Sequence, residues 1–494
     1  MAAHSRSLAE LGLRPRGGGA DLRVTGIALD SRAIRPGQLF AALPGSAAHG
    51  AAFAAQALAN GAAAILTDAE GARLAAPHLP PGFPLVQAEE PRETLARAAA
   101  LWFGAQPDTV VAVTGTSGKT SVATFARQIW QAMGLRAVNL GTMGVLGDFQ
   151  APLAHTTPDP LTLHRVLAQA AAAGITHAAL EASSHGLDQR RLDGVRLRAA
   201  AFTNFSQDHL DYHETFDAYF AAKARLFDAV LPEEGTAVIN IDDPRGADML
   251  DRARARGHRI LTVGRAEGAD LRILGQRYDA RGQDLRLAWD GAPRQVRLDL
   301  IGGFQAENVL AAAGLAIGVG AAADEVLATL PRLRTVRGRM ELAATRANGA
   351  TVFVDYSHKP GALASALQSL RPHVLGRIVV VFGAGGDRDR GKRPLMGRAA
   401  ADFADVVFVT DDNPRTEDPA AIRAAVLQGC PEATEVPDRA EAILRGVDAL
   451  GPGDALLIAG KGHETGQIIG RDIYPFDDAE QASIAVAALD GVIR

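Results

Sequence analysis

Cysteine is nearly absent: Cys430 is the only one among 494 residues, so no disulfide can form within the chain. A reducing cytoplasm is the simplest setting for such a protein. Long apolar runs are missing too. The longest uncharged apolar stretch, Val309 to Ala323, has 15 residues and is mostly alanine and glycine. That is short of the roughly 18 needed to suggest a membrane span, so no membrane insertion is expected. The first residues carry no apolar core of signal-peptide type, and no export is expected. A net charge of −5 gives no bulk attraction to nucleic acid or anionic lipid. Hydrophobic residues at 47% and charged residues at 22% exclude a disordered chain.

Lysine is the most informative scarcity. Lysine and arginine together number 51, yet only Lys119, Lys223, Lys359, Lys392 and Lys461 are lysine. Arginine stands wherever a generic positive charge is enough. A surviving lysine then marks a place that needs a compact ammonium, or an amine able to lose its proton. Chance survival on exposed faces is the alternative, and the motif-like surroundings of at least four of the five speak against it.

The length predicts about three domains of about 150 residues each. Residues 24–90 read as short αβ units: VTGIALDSR, a turn at Arg35-Pro36-Gly37, LFAAL, and an alanine-rich helix ending near Asn60-Gly61. Then DTVVAVTG, THAALEASS and AAAFTNF predict buried strands, with SVATFARQIWQAMG as an amphipathic helix. A composition break lies near residues 330–340. Beyond it TVFVDYS, RIVVVFGAGG, DVVFVTDDN and DALLIAG predict four strands, each ending in a polar or glycine-rich loop. In a parallel sheet those loops share one edge, where ligands bind. The expected fold is α/β in three domains. These are an N-terminal α/β domain (1–90), a central P-loop ATPase-like parallel sheet with helices (91–336), and a C-terminal Rossmann-like domain (337–494).

Thr114-Gly115-Thr116-Ser117-Gly118-Lys119-Thr120-Ser121 follows a valine-rich strand and precedes a helix. Glycines let backbone N–H groups close on phosphate oxygens, and the helix N-terminus adds its dipole. Lys119 is expected to bridge the β- and γ-phosphates, and Thr120 to offer its hydroxyl to Mg²⁺. The strict pattern wants glycine where Val113 stands, so the loop is a shortened variant.

HETFDAYFAAKARLFDAV predicts a helix on which Lys223 shares a face with Phe216, Tyr219, Phe220 and Phe227. Burial favours the neutral amine, and a neutral amine can take up CO₂ as a carbamate, a hard oxygen donor of the kind Mg²⁺ accepts. A snorkelling lysine with its head in water is an equal alternative on periodicity alone. Glu181 ends a strand, and Asp208-His209-Leu210-Asp211 lies just before the lysine helix. Carboxylate, imidazole and carbamate could together complete a magnesium shell.

These segments resemble the Mur ligases, ATP-dependent amide-forming enzymes of peptidoglycan precursor synthesis. TGTSGKTS is similar to their phosphate loop, HLDYH followed by AAK to their carbamylated-lysine segment, and GGFQAEN to their adenine-contacting segment. VDYSHKPGAL resembles a stretch usually written DYAHTP, from which Ser357 and Lys359 depart. The resemblance implies catalytic roles for Lys119, Lys223, Glu181 and His209. It implies ATP contacts at Gly115, Thr116, Ser117, Gly118, Lys119, Thr120, Ser121, Asn308, Asp355 and His358. Magnesium would be held by Thr120, Glu181, His209 and Lys223 as its carbamate.

Within the family the chain is most similar to the branch acting on UDP-N-acetylmuramoyl-L-alanyl-D-glutamate. LDSRAIRPGQLFAALPG implies a uridine contact at Ser31. Thr156, Thr157, Ser184, Gln189 and Arg191 match positions that hold the UDP substrate. Asp412-Asn413-Pro414-Arg415 matches a segment that accompanies meso-diaminopimelate, with Arg388, Gly460 and Glu464 around the same ligand. An arginine fork can bind a carboxylate through two parallel hydrogen bonds. By residue type alone, DNPR reads equally as a plain turn. The resemblance implies a cytoplasmic monomer. The lysine-adding Mur ligases, folylpolyglutamate synthase and a nucleotide switch without ligation are the alternatives. Arg415 separates the first, and the DSR and DNPR segments the second. The late GKGHE and DNPR loops would be superfluous in the third.

Overall fold

The computed structural model describes residues 5–16, 19–45, 48–206 and 210–491. The chain divides into two compact units, Met1–Val263 with Ala311–Val326, and Gly264–Leu310 with Leu327–Arg494.

The first unit opens with a four-stranded parallel sheet, in spatial order Ile27–Ala28, Leu39–Ala41, Ala64–Thr67 and Leu85–Gln87. Leu39, Ala41, Ala64 and Leu66 pack with Leu95 and Ala98 of the helix Pro91–Phe103. Phe40 and Ile65 pack on the opposite side with Ala51, Ala54 and Ala57. The alanine-rich helix ends at Ala59, as its sequence predicts.

A larger sheet follows, ordered Gly144–Gly147, Ala137–Gly141, His177–Glu181, Thr109–Thr114, Leu197–Phe202, Thr236–Asn240 and Arg259–Gly264. Among these seven strands only Gly144–Gly147 runs antiparallel to its neighbour. The strands are continuous apolar runs because helices cover both faces. The helix Lys119–Ala132 is amphipathic as expected: Arg127, Gln128 and Gln131 are half-buried on one face, while Thr120, Ser121 and Thr124 are buried with the apolar side. The lysine helix differs from expectation at its start: it runs Phe216–Arg225, capped by Thr215 and preceded by Glu214 at φ 58°. Its last turn, Leu226–Val230, widens to a π-turn.

The second unit holds a six-stranded sheet ordered Glu341–Thr345, Thr351–Asp355, Ala455–Ala459, Ile378–Phe382, Val406–Val409 and Thr434–Glu435. All neighbours are parallel except the first pair. Asp355, Ala459, Phe382 and Val409 stand in register, so four loops leave one edge together, as the four predicted strands require. Two features were not expected from the sequence. Leu271–Asp279, Gly282–Trp289 and Ala292–Leu298 form an antiparallel meander, and Gly466–Ile469 with Asp472–Pro475 forms a hairpin. Among the described residues, no helix is long and apolar enough to cross a membrane.

Candidate active site

In the first unit, strand Thr109–Thr114 lies between His177–Glu181 and Leu197–Phe202, with Val113 opposite Glu181 and Thr114 opposite Phe202. Three adjacent carboxyl ends therefore deliver the loop 115–118, Glu181 and Thr203-Asn204 to one place, where the sheet's order switches direction. The loop is held by its neighbour: Thr116 N–H donates to Asn204 O (2.9 Å) and Ser117 N–H to Asn204 Oδ1 (2.9 Å). Thr203 Oγ1 donates to Ser117 O (2.7 Å). Gly118 takes φ 87° as the N-cap of helix Lys119–Ala132, a conformation that glycine adopts without a steric penalty. Val113 is buried inside the strand, which explains the missing glycine of the strict motif: the strand continues one residue further before the loop begins.

Thr120 Oγ1 donates to Glu181 Oε2 (2.9 Å), and Thr142 N–H donates to Glu181 Oε1 (3.0 Å). Lys119 Nζ donates to Gly115 O (2.8 Å) and Thr116 O (3.0 Å). Lys223 Nζ donates to the same Gly115 oxygen (2.7 Å) and lies 4.5 Å from the Tyr219 ring centroid. Lys223 is 1% exposed, which removes the snorkelling alternative. Two lysine amino groups thus meet on one carbonyl.

The hydroxyl of Thr120 and the carboxylate of Glu181 are adjoining hard oxygen donors of the kind Mg²⁺ takes. Among the described residues no group of three or more His, Cys, Asp or Glu could hold a metal by itself. A cation here would need further oxygens, such as phosphate or a carbamate on Lys223. His209, the fourth expected ligand, lies outside the described residues.

The residues expected to hold the UDP substrate adjoin Glu181. Thr157 Oγ1 donates to Glu181 O (2.7 Å) and accepts from Ser183 N–H (3.0 Å). The Thr156 and Thr142 hydroxyls bond each other (3.0 Å). Arg191 donates to Thr157 O and to Gln189 Oε1 (2.7 Å each). Ser184 is buried, and its hydroxyl has no partner among the described residues. Ser31 is engaged elsewhere, donating to Gln56 Oε1 (3.0 Å).

In the second unit, Asp355 is buried. Its Oδ2 accepts Met340 N–H (2.8 Å), its Oδ1 accepts the Ser357 hydroxyl, and burial pushes its carboxyl up. His358 Nδ1 contacts Tyr356 O (2.8 Å), and burial pulls this imidazole down. Lys392 Nζ donates to His358 O (2.8 Å). Asn308, on helix Phe304–Gly318, donates to Gln305 Oε1 (3.1 Å).

The expected amino-acid residues gather at the sheet edge. Asn413 Nδ2 donates to Glu464 Oε2 (3.0 Å), and Gly386 N–H donates to Asn413 O (2.9 Å). Arg415 Nη1 donates to Gly386 O (2.8 Å), and its guanidinium flanks Gly385 together with the stem of exposed Arg388. Gly460 sits at φ 116°, where an added Cβ would fall 2.5 Å from Asp412 Oδ2. Arg415 itself has φ 52°, sparsely populated for a side-chain-bearing residue. The hairpin imposes it: Arg415 N–H donates to Ile468 O (3.1 Å) and Gly470 N–H to Arg415 O (2.7 Å). DNPR is therefore more than a plain turn. Sequence reasoning missed this hairpin, Asn204 and Thr142. It noted the scarcity of Lys461 without assigning that residue to the site.

Comparison with known proteins accords with this geometry. Residues 23–102 match the catalytic domain of the Mur ligase family, 113–316 the Mur ligase middle domain, and 338–462 the Mur ligase glutamate ligase domain. The UDP-N-acetylmuramoyl-L-alanyl-D-glutamate–2,6-diaminopimelate ligase of Bradyrhizobium diazoefficiens is 52% identical over 475 residues, 95% of this chain and 96% of that one. The enzyme of the same name from Mesorhizobium japonicum is 49% identical, covering 94% and 96%. A solved structure of a ligase of that name superposes with a TM-score of 0.73 at 36% identity, over 98% of this chain and 99% of that one. Folylpolyglutamate synthase of Mycobacterium tuberculosis, complexed with ADP, shares the fold at 20% identity and a TM-score of 0.61, covering 74% and 91%. The α/β architecture, the three matched domains and these relatives agree that the chain belongs to the Mur ligase family.

Proposed function

We propose that the protein is an ATP-dependent ligase joining meso-2,6-diaminopimelate to UDP-N-acetylmuramoyl-L-alanyl-D-glutamate in peptidoglycan precursor synthesis. The observation that carries this reading is the pairing of opposite charges in one pocket. The Arg415 guanidinium, with Arg388 at the rim, stands beside the Asn413–Glu464 pair. Such a pocket complements the far carboxylate and ammonium of a diamino diacid. The diaminopimelate ligases that resemble the chain over nearly its whole length support it. We keep the division into domains 1–90, 91–336 and 337–494, for UDP substrate, ATP and amino acid in turn. We place the enzyme in the cytoplasm as a monomer.

The D-glutamate γ-carboxylate attacks the γ-phosphorus of ATP, giving an acyl phosphate and ADP. Lys119 leaves the Gly115 and Thr116 carbonyls to bridge the phosphates, and the loop N–H groups orient them. The free amine of diaminopimelate then attacks the acyl carbon. Phosphate leaves from the tetrahedral intermediate as the amide forms. Thr120, Glu181, His209 and carbamylated Lys223 would hold Mg²⁺, which supplies charge compensation for the phosphates. The shared Gly115 oxygen supports the modification, because two ammonium groups there would repel. In carbamylation the ammonium first gives up one proton; the neutral ε-nitrogen then bonds to CO₂ carbon and releases a second, so that a positive group becomes a carboxylate. Thr156, Thr157, Ser184, Gln189, Arg191 and Ser31 would hold the UDP substrate. Asn308, Asp355 and His358 would meet the nucleoside of ATP.

Phosphate release with ATP, Mg²⁺ and the UDP-muramoyl dipeptide, comparing meso-diaminopimelate with L-lysine, tests the reading when the product is identified by mass. Tripeptide with diaminopimelate alone is expected. Preference for lysine would overturn the specificity, and no amide with either would overturn the ligase. Activity that falls in CO₂-depleted buffer and returns with bicarbonate is expected of a Lys223 carbamate; indifference to CO₂ would count against it.

A further inference from the structure

Lys461 follows strand Ala455–Ala459 and has no exposed surface. Its Nζ donates to Asn413 Oδ1 (3.0 Å) and lies 3.6 Å from Glu464 Oε2. The same Asn413 oxygen accepts Ile468 N–H (2.9 Å). With two donors on that oxygen, the amide has one satisfiable orientation. A flip would set its NH₂ against an ammonium and an N–H, leaving three donors facing one another without an acceptor. The NH₂ is therefore fixed toward Glu464 Oε2 (3.0 Å). Glu464 remains 35% exposed in its side chain, so the carboxylate whose one oxygen is pinned from below is open to a ligand from above.

Beneath this group, Arg439 is fully buried and donates to both oxygens of Asp478 (2.7 Å each). Burial pulls the Lys461 ammonium down and the nearby Arg439 charge adds to that, while Asp412, Glu464 and Asp478 favour its charged form. A guanidinium is longer and carries five donors in a fixed fork. Neither its length nor its donor count suits a closed pocket with one amide oxygen and one carboxylate oxygen to satisfy.

We propose that Lys461 is a positioning residue for the amino-acid substrate: through Asn413 it orients Glu464 to receive the far ammonium of the diamino acid. This rests on the pocket reading given under Proposed function. Lys461 does not touch the substrate, and it sets the KM for the amino acid rather than for ATP or the UDP dipeptide.

The test compares Lys461→Met and Lys461→Gln with the wild-type full-length enzyme, measuring KM for all three substrates alongside thermal melting. The Met variant is expected to raise KM for diaminopimelate about 10- to 100-fold, with the other two KM values within about twofold. The Gln variant restores an N–H donor and recovers part of that loss. In a Glu464→Gln background, Lys461→Met adds less than about threefold, because both act through one carboxylate. An unchanged KM for diaminopimelate, an equal rise for all three substrates with a lowered melting point, or full additivity with Glu464→Gln would overturn the proposal. Should wild-type enzyme itself fail to ligate diaminopimelate, the pocket reading falls, and Lys461 with it; ligation by wild type with a flat Lys461 series overturns the Lys461 proposal alone.

Discussion

The phosphate loop and the amino-acid pocket are built by different means. Around Gly115-Lys119 the groups that do the holding are largely main-chain: the carbonyls of Gly115, Thr116, Ser117 and Asn204, and the N–H groups of Thr116 and Ser117. Around Arg415 the key contacts run between side chains, or from side chain to a distant loop. Asn413 meets Glu464 and Lys461, and Arg415 meets Gly386. A backbone cradle is specified by a few consecutive residues that set its dihedrals, and it accepts any phosphate. A side-chain pocket draws on loops separated by dozens of residues, and it can discriminate one amino acid from another. Lysine marks both. None of the five lysines is an exposed residue, whereas the side chains of Arg32, Arg97 and Arg254 are 78%, 69% and 62% exposed.

The contrast makes unequal demands on substitution. Lys119→Ala removes the side chain that, on the proposed reading, bridges the phosphates. Phosphate release is expected to fall about 10³-fold, with KM for the amino acid little changed; a loss below about tenfold would contradict the loop's assignment. Under the pocket, Arg439→Met leaves Asp478 buried without its cation, at a cost of about 3–5 kcal/mol. Urea denaturation measures this, and replacing both residues with apolar ones should return most of it. A mild single variant would show that the pair does not support the pocket floor.

His164, in the first unit, tests a smaller effect. It is 1% exposed, and burial lowers its pKa from 6.5 to about 4. The folded protein holds it neutral, whereas the unfolded chain takes up a proton once pH drops below 6.5. Stability from this group is therefore intact above pH 6.5 and lost as pH falls toward about 4, by about 2 kcal/mol at pH 5. A His164→Gln variant should show a flatter stability profile in urea titrations across that range; an unchanged slope would assign the pH dependence to other groups.

Much of this was legible in the sequence. The phosphate loop, Glu181 at a strand end and the four parallel strands after residue 340 are local patterns, and local patterns survive folding. The even choice between a snorkelling and a buried Lys223 was not resolvable, because the helix pattern does not say what lies above Gly115. Nor was the hairpin Gly466–Ile469/Asp472–Pro475, whose short strands carry no strong alternation. Yet that hairpin turns Arg415 into its left-handed backbone and supplies the second donor to Asn413. The second hairpin of the meander 271–298 was legible but overlooked: Asp290-Gly291, both at positive φ (48° and 73°), is a two-residue hairpin turn between Gly282–Trp289 and Ala292–Leu298.

The most direct measurement is the ratio of kcat/KM for meso-diaminopimelate to that for L-lysine, in wild type and in Arg415→Ala. If the Arg415 fork reads the far carboxylate, the ratio falls about 10²-fold in the variant while KM for ATP stays fixed. A ratio that does not move would mean that Arg415 only shapes the turn, and that the pocket discriminates its amino acid by other residues.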